Sequence, residues 1–137
     1  MWFWRLAPII LTAGVAVACA KIASSKQIDR PLSSLAGSEW GLKGQDSPFV
    51  QFSSNGEMHG NGGCNNFGGS YQLNGQRLVI GPLMSTKKAC IGDVMQQEIN
   101  FFRALQNAHH IQATHFNLLI FDENNNEILS LVRRDWD

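Results

Sequence analysis

The stretch from Gly62 to Cys90, GGCNNFGGSYQLNGQRLVIGPLMSTKKAC, limits what this chain can fold into more than any other part of it. Cys64 and Cys90 bracket Asn74-Gly75, and Asn-Gly supplies the positive φ that a tight hairpin turn requires. Gly62, Gly63, Gly68 and Gly69 lie ahead of that turn; glycine weakens a strand but permits bends and close backbone approach. In an exported protein the two cysteines form a disulfide. Closing a loop of about 27 residues contributes roughly 3.5 kcal/mol in the loop-entropy picture. Two buried free thiols and a reactive thiol pair are the alternatives, and there is no C-x-x-C to favour the second.

The start of the chain indicates export. Arg5 is followed by an apolar run from Leu6 to Ala18, about the length of a signal-peptide core. It is shorter than the roughly 20 residues needed to span a bilayer. The run ends Ala16-Val17-Ala18-Cys19, small residues before a cysteine, similar to a bacterial lipobox with Cys19 as the lipidated residue. Ala16 stands where leucine is usual. A cleaved signal with its junction at Ala18 or Ala20, and an uncleaved anchor, are the other readings. Residues 1–19 are thus expected to be a lipoprotein-type signal, residues 20–34 a small, polar tether, and residues 35–135 one domain. Cleavage before Cys19 leaves 119 residues (137 minus 18), enough for a real core.

Formal net charge is zero, and no basic run exceeds a Lys or Arg pair. Nucleic-acid binding has no electrostatic footprint here.

Short strands with turn signals fill the expected domain. Trp40 and Leu42 alternate with small or polar residues, and FVQFS (Phe49–Ser53) leads into Asn55-Gly56. Glu57 to Gly63, Ser70 to Leu73, Gln76 to Ile80, Asn117 to Phe121 and Glu127 to Val132 read as further strands. Asp93 to Ala108 reads as the one helix. Met95, Ile99, Phe102 and Leu105 form its apolar stripe, widened by Val94, Phe101 and Ala108. Asp93 with Gln96 makes a box-like start. The fold class is α+β, mainly β: an antiparallel sheet of seven or eight strands, curled into a small barrel-like form, with one helix packed on it.

GGCNNFGGSYQLNG (Gly62 to Gly75) followed by GPLMSTKKAC (Gly81 to Cys90) closely resembles the signature of the META domain family, which includes the HslJ-like heat-shock lipoproteins. Trp40, the helix after the second cysteine and the closing hairpin (Asn117 to Arg133) fit the same resemblance, which covers about Leu35 to Arg133. It implies a barrel-like fold in the bacterial envelope, with stress association and, for HslJ-like members, antibiotic tolerance. It implies no catalytic mechanism. Family members often carry Arg where this chain has Asn66, so no role of that arginine transfers. The alanine after Cys19, where diderm lipoproteins retained in the inner membrane commonly carry aspartate, implies the outer membrane, facing the periplasm.

No catalytic constellation, cofactor or metal site stands out. His59, His109, His110 and His115 lack the short paired spacing of a zinc site, and HGNGGCNNFGG lacks the Gly-Lys-Ser/Thr of a phosphate loop. Ser85 and Lys88 match the Ser-x-x-Lys of acylating enzymes, but without that family's partner motifs. The carboxylates are scattered, and Glu98, in the helix beside Ile99, reads as capping or pairing. The remaining candidate is a polar binding patch of Asn65, Asn66, Thr86 and Lys87. The expected function is a non-enzymatic envelope lipoprotein, membrane-anchored through its N-terminus, that binds an envelope protein or small ligand. A closed-barrel ligand carrier and an inhibitor of an envelope hydrolase are the alternatives.

Overall fold

A computed structural model describes residues 31–135; the signal segment and Cys19 lie outside the described residues. Among the described residues nine strands and one helix follow one another: β1 (Ser38–Gly41), β2 (Phe49–Phe52), β3 (Glu57–Asn61), β4 (Asn66–Asn74), β5 (Arg77–Ile80), β6 (Met84–Ser85), α1 (Asp93–Gln106), β7 (His110–Ala113), β8 (Asn117–Phe121) and β9 (Glu127–Arg133).

All strand pairs are antiparallel. The sheet order is β3-β2-β1-β9-β8-β7-β5-β4-β6, and β3 also pairs with β4, so the sheet closes on itself. The ring is irregular. Eight strands complete it, and β6 sits at the end of the order, paired to β4 only through Phe67↔Ser85 and Gly68↔Met84. The narrowest joint is β5 to β7, a single register pair, Arg77↔His110. Two backbone bonds close it, Leu78 N–H to His109 O and Ile111 N–H to Gln76 O.

Alternation sets the inside of the ring. Val50, Phe52 and Met58 point inward from β2 and β3, with Trp40, Leu78, Ile111, Leu118, Ile120 and Leu131 from the other strands, all buried. Phe52 and Tyr71 meet edge to face, and Phe67 packs against Phe101 and Phe102 of α1. Trp40 is fully enclosed, and its indole N–H donates to Ser38 Oγ at 2.6 Å. The Asn55-Gly56 and Asn74-Gly75 turns form as expected, with φ of 82° at Gly56 and 62° at Gly75.

Several expectations are corrected. β4 extends back through Gly68 and Gly69 to Asn66, because β3 beside it supplies the ladder that glycine propensity alone does not favour. β6 and β7 add to the strands that the sequence suggests. His110 opens β7 and stacks on Phe121 at 4.9 Å. α1 stops at Gln106, two residues early. Gly92 occupies its N-cap position and no side chain caps it, so Asp93 and Gln96 form no box. The buried face of α1 is Glu98, Phe101, Ala104 and Leu105, while Ile99 is 45% exposed. A carboxylate has taken the place expected of an aliphatic side chain.

The two ends of the ring differ. At one end the chain comes in: Leu32 N–H donates to Ala113 O, and Gly37 N–H to Phe52 O, near the Asn55-Gly56 turn. At the other end lie α1, the loop between β3 and β4, and the loop from Gly81 to Gly92 that carries Cys90.

Candidate functional site

The loop Gly62–Asn65 is built to turn its N–H groups toward α1. Gly62 N–H donates to Asn65 O, and Gly63 N–H to Asn61 Oδ1. Gly63 has φ of 125°, a backbone region that favours glycine. A Cβ on Gly62 would lie 2.6 Å from Glu98 Cγ and 2.8 Å from Phe102, so only glycine lets the helix come this close.

Glu98 meets those N–H groups. Its Oε2 accepts from Cys64 N–H at 3.0 Å and from Asn65 N–H at 2.6 Å, and its Oε1 accepts from Asn65 Nδ2 at 2.7 Å. Glu98 is 4% exposed. Burial pushes its carboxyl pKa up, but the Asn65 side chain and the Asn65 and Cys64 N–H groups together outweigh that and hold it below the ordinary 4.5. A buried carboxylate is expensive unless donors replace its water; here two backbone amides and one side-chain amide do so.

Asn65 relays this anchor to the second half of the motif. Its Oδ1 accepts from Thr86 Oγ1 at 2.8 Å and from Lys88 N–H at 2.7 Å. Its Nδ2 also donates to Lys88 O at 3.0 Å. Both donors and both lone pairs of the amide are therefore engaged. Thr86 N–H donates to Asn66 O, and Asn66 Oδ1 accepts from Asn61 Nδ2 at 2.8 Å. The Cys64–Cys90 disulfide closes the assembly, with Cα atoms 6.0 Å apart.

The expected patch is thus assembled but divided by role. Asn65, Asn66, Thr86 and Lys87 do come together. Asn65, however, is 3% exposed with its amide fully used, so it is an internal strut and not a contact for a ligand. Asn66, Thr86 and Lys87 are exposed. Lys88, absent from the expected patch, is held by its backbone. Ser85 sits on β6 and Lys88 in the following loop, so the two do not share the helical turn that Ser-x-x-Lys chemistry uses. The sequence places Glu98 in the helix without marking it as the hub. The usable signal was its spacing from Val94, Phe101 and Leu105, which puts a carboxylate on the buried stripe.

Among the described residues no three His, Cys, Asp or Glu side chains gather as a metal site. A cleft of about 570 Å³ lies beside the C-terminal turn of α1, lined by Arg103, Asn107, His109, Asp122 and Glu123 among others. A more apolar groove of about 390 Å³ runs between α1 and Leu42, Pro48, Ile128 and Leu129. Both clefts open to solvent outside the ring, whose interior is filled by the side chains named above.

The META domain family model matches residues 31–136. This chain belongs to the META domain family. The fold is shared with the NMR structure of a protein from Burkholderia xenovorans, 24% identical, covering 74% of this chain and 84% of that one, with a TM-score of 0.63. A second NMR structure is 16% identical, with a TM-score of 0.56 over 73% of this chain and 90% of the other. A DUF4847 family protein from Bacteroides vulgatus is 21% identical over 62% of this chain and 55% of that one, with a TM-score of 0.48. No curated protein matches this one.

Proposed function

We propose that this META domain protein is a non-enzymatic envelope lipoprotein. It is anchored through a lipidated Cys19 in the outer membrane, faces the periplasm, and acts by binding another envelope component under envelope or heat stress, with antibiotic tolerance as the outcome. The observation that carries the binding reading is the immobilised, solvent-facing loop from Thr86 to Ile91, held by the disulfide and by Asn65. Fixing a loop in advance reduces the entropy lost on association. The polar groups nearby support a non-catalytic role, since both sulfurs are bridged and Glu98 and Asn65 are engaged by each other, by Thr86 and by backbone. The disulfide agrees with an oxidising compartment. The first described residues lie at the end of the ring opposite this loop, an arrangement that suits an N-terminal anchor.

Two measurements test the proposal. Intact-mass analysis of the protein from cells should show loss of residues 1–18 and a lipid adduct on Cys19; an unmodified Met1 removes the lipoprotein assignment. Photocrosslinking from position 66 in intact cells should trap one recurrent envelope component. An even spread of abundant bystanders would count against binding.

A further inference from the structure

The segment around Lys87 has the attributes of a peptide held ready for a binding cleft that reads extended main chain. Ser85 is paired to Phe67, yet β6 ends the sheet order, and its outer edge has no strand beside it among the described residues. Such an edge is open to strand addition. Thr86 is fixed twice, by its N–H on Asn66 O and by its hydroxyl on Asn65 Oδ1. Lys88 is fixed through both its N–H and its carbonyl on the same Asn65 amide. Cys90 is bridged to Cys64. Lys87 lies between these clamps, exposed, with no ion pair from its amine to any described residue. Ile91 is 99% exposed and Met84 80% exposed, so apolar contacts are offered on either side.

We propose that Met84–Ile91 is a substrate-like loop that seats in the active-site cleft of a serine endopeptidase with an anionic specificity pocket, Lys87 filling that pocket. This rests on the reading of the domain as a binding module and names the class of its partner. A long apolar stem ending in a cation fits a deep pocket with a carboxylate at its base. The edge of β6 pairs with the extended wall of the cleft, and Ile91 covers apolar surface beyond it. The clamps also explain how the loop would escape destruction. Hydrolysis breaks the Lys87–Lys88 C–N bond, adding hydroxyl to the Lys87 carbonyl carbon and a proton to the Lys88 nitrogen. That nitrogen and the Lys88 carbonyl are held on Asn65, which is itself held on Glu98, and Cys90 is tied to Cys64. The released amine therefore stays beside the acyl carbon, where resealing the bond outruns its departure.

The test uses the purified mature chain with its disulfide intact and trypsin as the probe. The expected result is competitive inhibition with a Ki of about 10⁻⁶ M or lower, while the Lys87–Lys88 bond stays largely uncut by mass analysis. Lys87→Ala should weaken inhibition by about 100-fold, whereas Lys88→Ala should change it only a few-fold. Asn65→Ala, checked for folding by near-ultraviolet circular dichroism, should turn the inhibitor into a substrate cut after Lys87. Absence of inhibition by the wild-type chain, or cleavage after Lys87 as fast as in the reduced chain, overturns the proposal. If trypsin is not inhibited and crosslinking from position 66 traps a partner that is not a peptidase, the loop assignment falls and the binding reading stands. If that crosslinking traps nothing recurrent, both fall.

Discussion

The interior of the ring and the rim around Cys64 are held by different physics. Inside, Trp40, Phe52, Leu78, Leu118 and Ile120 are enclosed by one another, and burial is non-directional. At the rim, Glu98, Asn65 and the disulfide fix backbone atoms one at a time. The interior can therefore exchange side chains of equal volume at small cost. The rim tolerates no such exchange, because each bond needs a particular donor in a particular place. The second arrangement does more than stabilise. Its effect is to set the shape of one exposed loop.

Substitutions rank the two regions. Trp40→Ala should have the largest effect, about 4 kcal/mol from lost burial and a residual cavity, read as a shift in the urea midpoint. Replacing Cys64 and Cys90 by serine should cost roughly 3.5 kcal/mol, with most of the interior's tryptophan fluorescence signature kept. A greater loss from the rim than from the interior would reverse the ranking.

Glu98→Ala leaves two backbone N–H groups and one amide donor without their acceptor, and should cost about 3 kcal/mol. Glu98 also carries a pH signature. Its folded pKa lies below 4.5, so its stabilisation is fully present above the unfolded value and is lost as pH falls through the folded one. Denaturation midpoints measured down the acid limb should fall less steeply in Glu98→Gln than in the wild type. An identical slope would mean that the carboxylate is not charged in the folded state. Ile91→Ser should be the smallest effect, within about 0.5 kcal/mol, because that side chain is 99% exposed.

The sequence made the interior more readable than the rim, for a physical reason. Hairpins are local: Asn55-Gly56 and Asn74-Gly75 declare themselves within two residues, and Asn117 to Phe121 is a strand over the range its alternation suggests. β6 is two residues long and exists only because β4 runs beside it. β7 follows the helix too closely for the pattern to separate them. Glu98 and Asn65 lie 33 positions apart, and neither residue reveals alone that it completes the other. Asn65 in particular reads as a surface amide until the helix is placed above it. Cys64 and Cys90 were legible as a pair because their chemistry has few other outcomes in an exported domain.

The joint between β5 and β7 has a consequence for how the molecule breathes. Everywhere else around the circle two or more register pairs must separate together, but here two hydrogen bonds stand between a closed hoop and an open ribbon. Such a hoop has a clasp. Slow amide exchange should be interrupted first at Leu78 and Ile111, with the hairpin of β4 and β5 swinging as the movable arm. The clasped rim loop is tied to β4 just past the root of that arm, so opening the hoop need not release the grip on Lys88.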